Sequence, residues 1–313
     1  MAVIEARELT KSYGGKPAVA DLSFDVRPGS VTGFLGPNGA GKSTTMRLML
    51  GLDVGHGTTT YDGRRFHELD LPMRRVGALL EAKPFHPTRK ARDHLRMLAA
   101  ANGIHVRRVD EVLEQLGLAE VARKKPKTFS LGMGQRLGLA AALLGDPDTL
   151  ILDEPANGLD PQGIQWMRRL LQHLAGEGRS VLVSSHLLSE MALMADHLVV
   201  IGKGRLIASG PIEEFVKGSA HNAVVVRTPD GAALAEALRD AGHAVEVLAD
   251  GGLSVRGIDA RVVGDLAFEA GIRLHELTNR TATLEEAFLE RTAGAEEFLA
   301  HEEQAHGPAG ESA

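Results

Sequence analysis

The 313-residue chain carries 43% hydrophobic and 24% charged residues and a formal net charge of −6, the balance of a soluble globular protein with room for one large and one small domain. The negative charge argues against a nucleic-acid partner held by bulk electrostatics, and the lack of any cysteine excludes disulfides, thiolate metal sites and cysteine nucleophiles together and suits a cytosolic setting. No apolar run approaches the length that spans a bilayer, and Met1–Arg7 lacks the charged-then-apolar pattern of a secretory signal, so any membrane role is expected to pass through a partner.

The first segment, Val3–Leu9, Tyr13–Lys16 and Leu22–Val26, alternates around turn residues and predicts antiparallel strands. After the turn Pro28-Gly29, the apolar run Val31–Leu35 enters Gly36-Pro37-Asn38-Gly39-Ala40-Gly41-Lys42-Ser43-Thr44, and Met46, Leu48, Met49 and Leu50 follow at helical spacing. Strand, glycine-rich loop, Lys-Ser and helix are the context that a phosphate-binding loop requires. Glycines let successive N–H groups turn onto an anion, and the helix adds its positive end. Lys42 reaches the outer phosphates, and the Ser43 hydroxyl can ligate a magnesium ion.

Gly51 to Gly63 reads as a glycine-rich patch, and Arg75–Leu80 as a short strand ending at Glu81. From Arg89 to about Leu118 the period turns helical, and a further helix starts at Ser130. The apolar run Thr149–Leu152 ends in Asp153-Glu154, a helix carrying Trp166, Leu170, Leu171 and Leu174 follows, Ser180–Ser185 ends at His186, and Leu198–Ile201 comes next. Continuous apolar strands alternating with helices predict a sheet covered on both faces. Gly202-Lys203-Gly204 turns the last of these strands back as a hairpin.

Beyond Lys217-Gly218-Ser219 a second pattern begins. Strands are expected at Ala223–Arg227, His243–Leu248, Leu253–Arg256 and Ile272–Leu277, and helices at Gly231–Ala241, Asp259–Ala270 and Leu284–Arg291, which together make a small α+β domain. From about Ala293 the chain is polar, Gly- and Ala-rich and acidic, and is expected to be disordered. The domain plan is therefore 1–216 with a helical insertion at about 82–147, a linker 217–222, a second domain 223–292 and a tail 293–313.

In an open α/β sheet, ligands bind at the carboxyl ends of the strands. Asp153 is placed there to hold magnesium directly or through water, and Glu154 to orient and polarise an attacking water. His186, at the end of the next strand, can touch a terminal phosphate. Ser130 is a good helix N-cap, and the glycines beside it make a second possible anion site that cannot easily serve the same phosphate as the first.

This ordered set resembles the ATP-binding subunit of ABC transporters. Gly36–Thr44 looks like the Walker A loop, Thr149–Glu154 like Walker B with its catalytic glutamate, Asn157-Gly158-Leu159-Asp160 like the D-loop, His186 like the switch histidine, Ser130–Arg136 like the signature helix and Tyr13 like the aromatic that stacks on adenine. The resemblance covers about residues 1 to 215. Thr283–Leu289 further resembles the C-terminal extension of drug- and antibiotic-exporter ATPases of the ABC-2 type. The resemblance implies a P-loop NTPase core with an antiparallel N-terminal β-subdomain and a helical signature subdomain. It implies ATP and Mg2+ as cofactors, with Ser43, Asp153 and Glu81 toward the metal, Glu154, His186, Glu81 and Asp160 in catalysis, and Tyr13, the loop Gly36–Thr44, Ser130 and Gly132 around the nucleotide.

Two copies, or one copy and a related ATP-binding subunit, would pair head to tail and drive an integral membrane permease from the cytoplasmic face of the cell membrane, exporting a drug, an antibiotic or a lipid-like compound. The C-terminal domain would regulate or dimerise. The alternative is a soluble ABC-type ATPase acting outside transport. Two positions depart from the family's pattern. Leu131 replaces a signature glycine. Glu81 replaces a glutamine, which keeps a metal contact but loses a hydrogen-bond donor.

Overall fold

The computed structural model describes residues 3–81, 85–219 and 221–292, folded as two compact units that divide between Gly210 and Pro211. The expected tail from 293, and residues 82–84 at the start of the expected helical insertion, lie outside the described residues.

The first unit opens with strands β1 (Ile4–Tyr13) and β2 (Lys16–Val26), an antiparallel pair. Strand β3 (Ser30–Leu35), buried throughout, leads through the glycine-rich loop into helix α1 (Lys42–Met49). The stretch read as a glycine-rich patch contains strand β4 (His56–Tyr61), followed by the short β5 (Arg64–Arg65). Three β-branched residues, Thr58 to Thr60, favour a pleated surface, and pairing with β1 in the register Ile4↔Tyr61 and Ala6↔Thr59 overrides the glycines. The resulting sheet has the order β2-β1-β4-β5. Its inner face, with Ile4, Ala6, Leu22 and Phe24, shares one apolar core with Met46 and Met49 of α1 and Phe34 of β3.

The second sheet of this unit is built from β6 (Val76–Leu79), β7 (Thr149–Leu152), β8 (Ser180–Ser185), β9 (His197–Gly202) and β10 (Arg205–Pro211) together with β3. Its order is β10-β9-β3-β8-β7-β6. Strands β6, β7, β8, β3 and β9 are parallel along their shared ladders. The register sets Leu35 beside Ser185, Leu152 beside Val183 and Leu79 beside Leu152. The phosphate-loop, Asp153-Glu154, His186 and Glu81 segments therefore all leave the sheet from one edge, at the carboxyl ends of their strands.

Between β6 and β7 the chain forms helices α2 (Ala91–Ala101), α3 (Arg107–Gln115) and α4 (Leu131–Leu143). They pack on one another through buried Leu95, Val109, Leu113 and Leu137. Helices α5 (Pro161–Gly176) and α6 (Leu188–Met194) connect β7, β8 and β9.

The second unit starts with helix α7 (Ile212–Lys217), so the segment expected as a linker is preceded by an element of this unit. It continues through β11 (Ala223–Arg227), α8 (Gly231–Asp240), β12 (Val245–Val247), β13 (Leu253–Arg256), α9 (Ala260–Glu269), β14 (Glu276–Arg280) and α10 (Leu284–Thr292). The antiparallel sheet has the order β12-β13-β11-β14, the split βαβ arrangement of ferredoxin-like modules. Val224, Val226 and Val255 face Leu234, Leu238 and Val263 in its core. The last strand was expected at Ile272–Leu277 and is found at Glu276–Arg280. Ile272 and Leu274 pack on the core from the preceding turn. The ladder begins only where Glu276 meets Arg227, so the apolar pattern marked the turn rather than the strand.

Candidate functional site

The glycine-rich loop is shaped by close backbone approach. Gly41 has φ of 105°, and a β-carbon on it would lie 2.4 Å from the carbonyl oxygen of Ala18 in β2. A β-carbon on Gly36 would lie 2.6 Å from the carbonyl oxygen of Ile201 in β9. Any side chain at either place would collide with that backbone and push the loop out of this shape. The loop ends at the N-terminus of α1, whose amides and dipole favour an anion.

Lys42 folds back under this loop. Its Nζ donates to the carbonyl oxygens of Gly36 at 2.6 Å and Pro37 at 3.3 Å. Burial lowers the Lys42 pKa, while the charges of Glu154 and Asp153 oppose that effect. A buried cation facing a turn of backbone amides is the donor set that a polyphosphate fits. Ser43 follows as an exposed residue in the first turn of α1. Among the described residues no group of three or more His, Asp or Glu side chains could hold a metal by itself. Ser43 and Asp153 would thus give a magnesium ion one or two protein oxygens and leave the rest of its shell to phosphate and water, as this ion prefers.

The carboxylates at the end of β7 are held by β8. Ser184 lies one residue beyond the Leu152–Val183 pair. Its hydroxyl donates to Asp153 Oδ1 at 2.5 Å and accepts the backbone N–H of Glu154 at 2.8 Å. Glu154 has φ of 48°, a left-handed conformation in a residue with a β-carbon. Such backbone costs about 1–3 kcal/mol and persists where neighbours impose it. Here the imposed geometry turns the carboxylate back across the strand ends. Glu154 Oε2 lies 2.6 Å from His186 Nδ1, and Oε1 lies 3.7 Å from Lys42 Nζ. The carboxylate thus spans a buried lysine and an imidazole.

Lys42, Asp153, Glu154 and His186 are brought together as the strand order requires. Sequence reasoning assigns no role to Ser184, which it places only within the run Ser180–Ser185 that ends at His186. Two serines together at the end of an otherwise apolar run were the available signal. Glu81 stands apart from the group, exposed and within electrostatic reach of Arg47.

Ser130 and Asp160 act as helix caps. Ser130 Oγ accepts the N–H of Met133 at 3.2 Å at the start of α4, and Asp160 Oδ1 accepts that of Gly163 at 2.9 Å at the start of α5, with Pro161 in its first turn. Ser130 and Gly132 share a groove with Gly158, Leu159 and Asp160, separate from the partners of Lys42. A cavity of about 300 Å3 runs from Glu154 and Asn157 past His186 to Glu190, Met191 and Met194. Tyr13 is half exposed at the end of β1.

The model of the ABC transporter family matches residues 19–157, and a second model, described as a domain of unknown function, matches residues 222–285. The chain is 38% identical over 307 residues to an ABC transporter ATP-binding protein of Bacillus subtilis (strain 168), covering 96% of this chain and 99% of that one. It is 43% identical over 219 residues to a bacitracin transport ATP-binding protein of Bacillus licheniformis, covering 69% of this chain and 72% of the other. Among solved structures, the ATP-binding subunit of an ABC transporter superimposes with a TM-score of 0.61 at 26% identity, over 86% of this chain and 99% of its own.

Proposed function

The chain belongs to the ABC transporter family as an ATP-binding, ATP-hydrolysing protein, and from that premise we propose that it is the motor subunit of an exporter. The observation that carries the proposal is the Glu154 carboxylate held between Lys42 and His186 beside the phosphate loop. In this reading Lys42 and the loop amides of Gly36 to Thr44 bind the phosphates, and Tyr13 carries the base. A magnesium ion bound through Ser43 and Asp153 would offset charge on the β- and γ-phosphates. Glu154 orients and polarises the attacking water, and His186 fixes the carboxylate and contacts the terminal phosphate. Glu81 links this edge of the sheet to the permease.

The capped helix at Ser130 opens on a groove of its own, away from Lys42. A chain with two such anion-favouring helix starts is accounted for by a head-to-tail dimer. In that dimer Ser130 and Gly132 of one copy cover the phosphates held by Lys42 of the other, and Asp160 helps to join the copies. A related ATP-binding subunit can take the place of the second copy. No helix among the described residues is long and apolar enough to cross a membrane, and the transport step is assigned to a separate integral membrane permease. The chain would sit peripherally on the cytoplasmic face. The likeness to a bacitracin transport protein, with the extension Thr283–Leu289, favours an antibiotic, drug or lipid-like substrate. The second unit, with its own core, is assigned a regulatory or dimerising role.

Three measurements test this reading. Purified full-length chain should release phosphate from Mg-ATP and pair on binding ATP, as read by sedimentation. Its turnover should rise on reconstitution with the polytopic membrane protein proposed as its permease partner. A chain that hydrolyses ATP but responds to no such protein would be an ATPase of non-transport type.

A further inference from the structure

The end of β1 is tied to α1 by one carboxylate. The phenolic hydroxyl of Tyr13 donates to Asp53 Oδ2 at 3.0 Å. The same Asp53 receives two bonds from Arg47 in the last turn of α1, Nε to Oδ2 at 3.1 Å and Nη2 to Oδ1 at 3.2 Å. This is the bidentate geometry that gives Arg–carboxylate pairs their directionality. The Asp53 side chain is 16% exposed, unlike most partners of the arginines on this surface. Lys11 meets the same ring from another side. Its Nζ lies 4.9 Å from the Tyr13 centroid and donates to the carbonyl oxygen of Val54 at 2.6 Å. A cation over one face leaves the other face for a base.

Tyr13 belongs to the antiparallel sheet and Lys42 to the helix that follows the phosphate loop. They sit on different elements, and a nucleotide spans a fixed length between its base and its phosphates. An exposed tyrosine on a strand end would sample several rotamers, and ordering it on binding would cost affinity. Asp53 removes that freedom from the ring by way of the same helix that carries Lys42. We propose that Asp53 is a positioning residue for the nucleotide base: it clamps the Tyr13 platform to helix α1 and so sets where a purine stacks relative to the phosphate loop. The proposal rests on the reading of Tyr13 as the base platform. Arg47 holds the Asp53 carboxyl below its ordinary range, with a smaller contribution from Tyr13, so the acceptor is ionised at neutral pH.

The test compares Mg-ATP with inorganic tripolyphosphate, which occupies a phosphate loop but has no base. Affinities of the full chain for both are measured by competition against a fluorescent ATP analogue, for the wild type and for Tyr13→Ala, Tyr13→Phe, Asp53→Ala and the double variant Tyr13→Ala/Asp53→Ala. Tyr13→Ala should weaken ATP about ten-fold or more, as expected for loss of one base–aromatic stack. Asp53→Ala should weaken ATP about three- to ten-fold, the range of one lost hydrogen bond, and leave tripolyphosphate unchanged. Tyr13→Phe keeps the stacking face but loses the tether, so it should match Asp53→Ala. In the Tyr13→Ala background, removing Asp53 should have no further effect on ATP. Equal losses for ATP and tripolyphosphate in Asp53→Ala would overturn the proposal and make Asp53 a support of α1. So would unchanged ATP binding in both Asp53→Ala and Tyr13→Phe while Tyr13→Ala stays impaired. Unchanged ATP binding in Tyr13→Ala would instead remove the base-platform reading itself, and the proposal with it.

Discussion

Leu131 lies so close to Gly158 that a β-carbon on the glycine would sit 1.9 Å from the leucine Cδ2 and 2.7 Å from its Cγ. The residue that departs from the family's signature glycine thus packs within its own chain. It holds the start of α4 on the Asn157–Asp160 loop, helped by Gln135 Nε2 donating to the Asn157 carbonyl oxygen at 3.4 Å. Gly158 also has φ of 75°, which glycine adopts at no steric cost. Gly158→Ala should therefore destabilise the chain through overpacking worth about 1–3 kcal/mol, with backbone strain in addition. Leu131→Ala should remove the steric part but not the strain. Urea unfolding of both single variants and the double variant reads this as non-additivity. If the double variant is destabilised by the sum of the two single losses, the leucine is not what excludes a side chain at Gly158.

A second expectation concerns the carboxylate between Lys42 and His186. Glu154→Gln keeps the size of the side chain but cannot polarise water as an anion does. Hydrolysis should fall by about 10²–10⁴-fold, the usual worth of a positioned general base. ATP binding should persist, and the nucleotide-bound dimer should accumulate because it cannot be discharged. Phosphate release and sedimentation in Mg-ATP measure the two effects. Normal turnover in this variant would remove Glu154 from its role.

These groups differ in how far they were legible beforehand. The placement of the loop Gly36–Thr44, Asp153-Glu154 and His186 at strand ends was legible because each depends on local order: an apolar strand, then the polar residues that follow it. Ser184 could not be assigned, since its role comes from the β7–β8 ladder, whose register brings Ser184 level with Asp153 just past the Leu152–Val183 pair. Strand β4 was hidden by glycines that its pairing with β1 outweighs. Strand β14 was hidden by its polar sequence, Glu276 to Arg280, which only the ladder to β11 makes a strand. The capping of α4 and α5 by Ser130 and Asp160 is local, and of these two only the Ser130 cap was anticipated. The tether from Asp53 to Tyr13 joins positions 40 residues apart and left no pattern to read.

Ser184 yields a third expectation. Its hydroxyl satisfies the Glu154 N–H and the Asp153 carboxylate at once. Ser184→Ala removes both bonds from a buried strand, and hydrogen bonds to charged groups are worth about 1.5–3 kcal/mol. The left-handed backbone of Glu154 should relax, moving the carboxylate away from the place where it is proposed to polarise water. The KM for Mg-ATP should rise less than kcat falls, since Lys42 and the loop amides are untouched and only the Asp153 carboxylate loses a bond, while kcat should drop about ten-fold or more. Ser184→Thr retains the hydroxyl and should recover part of the loss. Equal changes in KM and kcat for Ser184→Ala would point to a general loss of packing instead.

The last expectation is a pH dependence at Glu190, in the first turn of α6 and four residues after His186. Burial raises the Glu190 carboxyl above its ordinary range, partly offset by His186 and reinforced by Glu154. A carboxyl whose folded pKa exceeds its unfolded value holds its proton more tightly in the folded state. The unfolded chain then binds fewer protons between the two values, so stability falls as pH rises through that window. Below the unfolded pKa the penalty is absent, and above the folded pKa it is present in full. Glu190→Gln cannot ionise and carries no such penalty. The stability advantage of the variant over the wild type should therefore grow as pH rises above about 4, the unfolded value, and stay level once the folded carboxyl is ionised. Urea midpoints of the two proteins across this range measure it. A difference that does not vary with pH would mean that the carboxylate is as well solvated in the fold as in the unfolded chain.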